Sequence, residues 1–171
     1  MKKQQPKAPI GRPIDILFDK YTASHQQPVN KTINYICGPI IVFALLGLSW
    51  AIPFPHLDFL GTYASYINWL SFVVAFSIYF YYKMSPILSY IMLLIEFGFY
   101  YVILQLEEWR KAGGPGVGEL CLGVLIVALL VQFLGQKMEG KRYSFANSLK
   151  FQFYAPIWLL SMVLKRFRIK Y

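Results

Sequence analysis

Four apolar runs, Tyr35–Ile52, Tyr66–Tyr82, Pro86–Leu106 and Val117–Leu134, occupy most of the middle of the chain. Each approaches the ~20 residues that an α-helix needs to cross a ~30 Å hydrocarbon core. Lipid offers the backbone no hydrogen-bond partners, so a spanning segment of this length must be helical. Composition agrees: 57% hydrophobic and 18% aromatic residues, with a mean hydropathy of +0.45, lie far from a water-soluble domain. The expected class is an all-α integral membrane protein with four transmembrane helices. A fifth apolar stretch, Phe151–Leu164, is 14 residues long and carries Pro156. It fits a short C-terminal re-entrant or interfacial element better than a full crossing.

Charge orients the bundle. Lys2, Lys3, Lys7, Arg12, Lys20 and Lys31 precede the first run, and Lys83 joins the second to the third. Lys137, Lys141, Arg142 and Lys150 follow the fourth, and Lys165, Arg166, Arg168 and Lys170 close the chain. The other two connections hold only Arg110 and Lys111, among Asp58, Glu107, Glu108 and Glu119. By the positive-inside rule both termini face the cytoplasm, and an even number of spans follows. The net charge of +9 is then a topology signal with attraction to anionic lipid heads. A nucleic-acid partner would need a basic face with a supporting motif, and the sequence offers none.

Organisation is simple. No internal repeat or interdomain linker interrupts residues 1–171, so one membrane domain is expected: a polar basic leader at 1–12, an interfacial helix and first polar motif at 13–34, the spans at 35–134, a second polar motif at 135–150, and the C-terminal element with its basic tail at 151–171. The polar leader is unlike a cleavable signal peptide. Gly113-Gly114-Pro115-Gly116 reads as the turn between the third and fourth spans. Cys37 and Cys121 lie inside spans without CxxC spacing and read as small buried hydrophobes rather than a disulfide or zinc site. Ser24, Ser144 and Ser148 lack a companion His and Asp at useful spacing, which leaves serine-nucleophile chemistry without support.

Polar side chains at helical spacing mark a site at one end of the bundle. Ile14, Leu17, Phe18 and Tyr21 recur at i, i+3, i+4 and i+7, opposite Asp15, Asp19 and Lys20, as in an amphipathic interfacial helix. The same stripe continues to His25, and Pro28 then breaks or restarts the helix. Asn30 caps the first span or shares a helical face with Asn34. After the fourth run, Gln132, Gln136 and Glu139 fall at i, i+4 and i+7 on one face. With four spans, both polar faces lie at the same cytoplasmic level; the alternative is a solvated helix end among Lys137, Lys141 and Arg142. Glu96 sits mid-span between Ile95 and Phe97, where a carboxylate is expensive, and reads equally as a functional group or as a hydrogen-bonder to a neighbouring helix. Gln105 and Gln132 suit interhelical hydrogen bonds. Tyr79 to Tyr82, Tyr100, Tyr101, Trp109 and Trp158 read as interfacial anchors.

Two separated segments add a family resemblance. Ser24-His25-Gln26-Gln27-Pro28-Val29-Asn30-Lys31-Thr32-Ile33-Asn34-Tyr35-Ile36 resembles the SHQNPxNKxIHxI opening of the membrane-embedded 2-hydroxy fatty acid dioxygenases. Gln132-Phe133-Leu134-Gly135-Gln136-Lys137-Met138-Glu139-Gly140-Lys141-Arg142 resembles that family's QFxGHKxEGKxPS segment, and Ser144-Phe145 with Ala155-Pro156-Ile157-Trp158 its closing stretch. The resemblance implies oxidative shortening of a 2-hydroxy fatty acid by one carbon, with ferrous iron, dioxygen and a fatty acid or membrane lipid as partners. It implies a site of His25, Asn30, Asn34, Gln136 and Glu139, with Lys31, Lys137, Lys141 or Arg142 holding the substrate carboxylate. The match leans to a bacterial inner membrane, or to the endoplasmic reticulum in a eukaryotic host.

The sequence departs from that pattern at the metal. Two family histidines are Asn34 and Gln136 here, and the proline after the basic pair is Tyr143. Neutral amide oxygens are weaker donors than imidazole to a first-row metal, so ferrous iron is held poorly or not at all. Only His25 and Glu139 remain as good metal ligands, and His56, the other histidine, falls in the first connection on the opposite side. Two functions are therefore expected: a dioxygenase with an altered ligand set, or a catalytically inactive member that binds lipid or acts in membrane interactions. An unrelated bundle such as a small transporter would need an inverted repeat, which is not found.

Overall fold

The computed structural model describes residues 13–24, 27–55, 61, 67–138 and 145–168; among them there are six helices and no strand. They are α1 (Pro13–Ser24), α2 (Pro28–Ala51), α3 (Trp69–Met84), α4 (Pro86–Lys111), α5 (Val117–Met138) and α6 (Phe145–Arg166). Three of these, α2, α4 and α5, are long and apolar enough to cross a membrane. At 16 residues, α3 rises only about 24 Å, although it packs along α4.

Local chemistry sets the boundaries. Pro28 stands in the first turn of α2, where its missing N–H is no loss. Asn68 and Ser71 form a reciprocal capping box that starts α3. Ser85 alone separates α3 from α4, with Pro86 opening the new helix. At the end of α4, Gly114 N–H donates to the Trp109 carbonyl (3.0 Å) and Gly113 N–H to the Arg110 carbonyl (3.1 Å). These are the paired bonds of a Schellman stop, and Gly113 takes the left-handed φ of 99° that the motif requires. The glycine-rich segment is thus the turn the sequence suggests.

The core has two principal clusters. One joins Ala44, Leu46, Leu70, Ile103, Val117 and Cys121 across α2, α3, α4 and α5. The other fastens α1 and α6 to the α3–α4 hairpin through Ile14, Phe18, Tyr81, Leu88, Met92 and Trp158. The amphipathic stripe of α1 therefore covers protein: Ile14 and Phe18 are buried, and Trp158 Nε1 donates to Thr22 Oγ1 at 3.1 Å. Trp158 is a core residue at 2% exposure rather than an interfacial anchor, whereas Tyr79, Tyr82, Tyr101 and Trp109 stay exposed.

Two sequence expectations change. Asn30 does not cap α2, because that helix already begins at Pro28 behind Gln27, and the Asn30 side chain is buried two residues inside. The C-terminal helix is also longer than the apolar stretch: α6 runs for 22 residues, with Pro156 inside it. Pro156 is buried and lines a cavity of about 180 Å³ that it shares with Pro39 of α2. Tertiary packing there sustains a helix that proline alone would disfavour.

Candidate functional site

Helices α2 and α5 run antiparallel in close contact, and small residues permit the approach. A Cβ on Gly47 would collide with Cys121 Sγ. A Cβ on Gly135 would meet Asn30 Oδ1 at 2.8 Å and Ile33 Cδ1 at 3.0 Å. That second contact brings the start of α2 against the end of α5, where the two polar faces converge.

Three buried amides meet there. Asn34 Nδ2 donates to the Asn30 carbonyl at 2.9 Å and to Asn30 Oδ1 at 3.0 Å. Gln132 Nε2 crosses from α5 and donates to Asn34 Oδ1 at 2.8 Å. Asn30, Asn34 and Gln132 are 1%, 4% and 5% exposed. An amide has two donor hydrogens and one acceptor oxygen. The Asn34 amide thus donates to Asn30 on its own helix and accepts from Gln132 on the other, which makes a polar clasp between the helices.

Around the clasp, Lys31 is half-buried, Lys137 is exposed, and Gln136 is half-buried on α5. His25, Glu139, Lys141 and Arg142, the remaining residues of the expected site, lie outside the described residues. The structure therefore brings Asn30 and Asn34 together as their spacing suggests. It supplies Gln132, expected as an interhelical hydrogen-bonder, as the third member. The packing role of Gly135 was not foreseen; its signal was the spacing of three residues from Gln132, which keeps both on one helical face.

Glu96 belongs to a separate place. It is 2% exposed and lies ten residues, or about 15 Å, along α4 from Pro86. Ser77 Oγ is 2.8 and 3.0 Å from its two carboxylate oxygens and 2.9 Å from the Val74 carbonyl. One hydroxyl hydrogen faces three acceptors and serves one at a time. Glu96 also borders a cavity of about 400 Å³ between α3 and α4, walled by Val74, Ile78, Leu93 and Phe97.

The fold and clasp define a helical membrane-type protein with a polar centre at one end of an antiparallel helix pair. The model of the Mpo1-like family, described as 2-hydroxy-palmitic acid dioxygenase Mpo1-like, matches residues 12–167, and the chain belongs to that family. Neither a curated protein nor a solved structure matches it.

Of the residues expected near the iron that a dioxygenase of this kind implies, Asn34 and Gln136 are described, and His25 and Glu139 lie outside the described residues. At the second histidine of the first motif stands Asn34, whose nitrogen has no lone pair to give and whose oxygen, a weaker donor than imidazole, already accepts one bond from Gln132. Among the described residues, no three of His, Cys, Asp and Glu come together as a metal group.

Proposed function

We propose that the chain acts on 2-hydroxy fatty acids at the cytoplasmic membrane face, where α2 begins and α5 ends, in the oxidative one-carbon shortening that its family describes. The observation that carries this reading is the coincidence of the family match with the amide centre: two motifs separated by about a hundred residues meet through the Gln132–Asn34 bond. A 2-hydroxy acid presents a carboxylate and a hydroxyl on one end of an apolar tail. Lys31 and Lys137, with Lys141 and Arg142 beyond them, supply cations for that carboxylate. The family's ferrous iron would have His25 and Glu139 as its strongest remaining donors here.

A second reading, binding without oxygenation, is favoured by one observation: a buried Asn34, engaged with Asn30 and Gln132, stands where the family has a histidine. In that form the fold keeps its amphiphile site and loses the metal. The test is ferrous iron content and dioxygen uptake of purified protein given 2-hydroxypalmitate, beside the Asn34→His, Gln136→His double variant. Iron-dependent uptake by the native chain is expected from the first reading. Binding by the native chain with uptake only in the double variant supports the second, and absence of both from both proteins removes the family substrate from this chain.

A further inference from the structure

Below the amide centre, the outer side of the α2–α5 pair is grooved. Cys37 is three residues beyond Asn34 and Ala128 four residues before Gln132, so both sit about one turn under the clasp. They are 5% and 4% exposed and form a small-residue floor. Ile36 and Ile40 rise beside them on α2, and Val127 and Val131 on α5, all four exposed at their outer surfaces. The depression encloses about 700 Å³ and runs past Leu120 and Glu119, near the start of α5, to Pro115. Its volume is within the ~300–1,000 Å³ of ligand pockets.

We infer that this groove holds the acyl tail of the 2-hydroxy acid and sets its preferred length, with the head beyond the buried amides, toward Lys31 and Lys137. The inference rests on the proposed function. Val131 and Glu119 are twelve residues apart on α5, about 18 Å of helix. An extended acyl chain advances about 1.25 Å per carbon from its bond length and angle, so about 14 carbons fill that distance. A sixteen-carbon 2-hydroxy acid keeps carbons 1 and 2 in the head and has that many left for the tail. Glu119 interrupts the apolar wall there with a carboxylate, which a longer chain would have to pass or bend around to reach Pro115.

Gly123 makes the groove testable. It lines the groove, and a Cβ placed on it meets no atom within 4 Å. A larger side chain there fills the groove without displacing the fold, and replacing glycine inside a helix favours the helix. Gly123 is eight residues from Val131, about 12 Å. The tail of 2-hydroxydecanoate, about 10 Å long by the same bond geometry, stops above it.

The experiment compares binding of 2-hydroxydecanoate and 2-hydroxypalmitate to full-length protein in nanodiscs, using native chain, Gly123→Phe and Gly98→Phe. Gly98 on α4 is equally open to a new Cβ and lies outside the groove. Gly123→Phe is expected to weaken 2-hydroxypalmitate at least tenfold and leave 2-hydroxydecanoate within about twofold, while Gly98→Phe changes neither. Unchanged selectivity in Gly123→Phe, or equal loss of both acids, overturns the tail site and leaves a lipid-filled depression. A change of oligomeric state in Gly123→Phe without a change in selectivity also overturns it, in favour of an interface between copies. Failure of the native chain to bind either acid removes the proposed function itself.

Discussion

At the α2–α5 seam, three buried amides share donors and acceptors so that Asn34 both donates and accepts; at the α3–α4 hairpin, a buried carboxylate relies on a hydroxyl that is also close to a carbonyl. The seam is also the tighter of the two: glycines admit Cys121 and Asn30 into the space of a side chain, whereas Glu96 borders a cavity of about 400 Å³. Polar burial in an apolar bundle thus has two local solutions. A closed network fixes helix position, and an open one leaves a polar atom beside empty space. The seam has the ingredients of a positioned site, with its groove beginning directly beneath the network.

The largest effect should come from forcing the seam apart. Gly135→Leu puts a side chain where Asn30 Oδ1 and Ile33 stand and should cost about 3 kcal/mol by overpacking, read as a fall in the thermal unfolding midpoint in detergent. An unchanged midpoint would mean that α2 and α5 separate there without penalty, and the contrast with α3–α4 would collapse.

Removing one clasp partner is the next step down. Gln132→Leu leaves the Asn34 oxygen without its donor and should cost about 1–2 kcal/mol, near the upper range for interhelical hydrogen bonds in membranes. Combined with Asn34→Leu, the loss should be smaller than the sum of the single losses by about 1 kcal/mol, as expected for directly coupled residues. Strict additivity in the denaturation cycle would show that the 2.8 Å contact contributes nothing specific.

The hairpin should respond least. Ser77→Ala takes away the hydroxyl beside Glu96 and should destabilise by about 1 kcal/mol. Adding Glu96→Leu should recover that loss, since an apolar side chain suits the cavity walls where an unpaired carboxylate does not. A double variant less stable than Ser77→Ala would mean that Glu96 makes a stabilising contact of its own, and the hairpin would then resemble the seam.

Much of this was legible in the sequence because hydropathy and helical periodicity act locally. The runs at Tyr35, Pro86 and Val117 mark α2, α4 and α5, and Gly113 marks the turn from α4 to α5. The four-residue step from Asn30 to Asn34 places both amides on one face, and the burial of Gln132 against them follows from the antiparallel pair. Of the two readings of Asn30, the shared face with Asn34 holds and the cap does not, because Pro28 has already started the helix. The length of α6 was hidden because its first turns are polar and Pro156 looks like a stop. The groove could not be seen at all: Cys37 and Ala128 become a floor only when two distant helices are paired in register.

The most direct measurement is photo-crosslinking of full-length protein in nanodiscs by a 2-hydroxypalmitate carrying a diazirine near the middle of its tail, with the labelled peptides mapped by mass spectrometry. The account predicts label concentrated on Ile36–Ile40 and Gly123–Val131, competed away by unlabelled 2-hydroxypalmitate and spared by palmitate methyl ester. Label on Val74–Ile78 and Leu93–Tyr100 beside Glu96, or label spread evenly over the lipid-facing helices without competition, would contradict it.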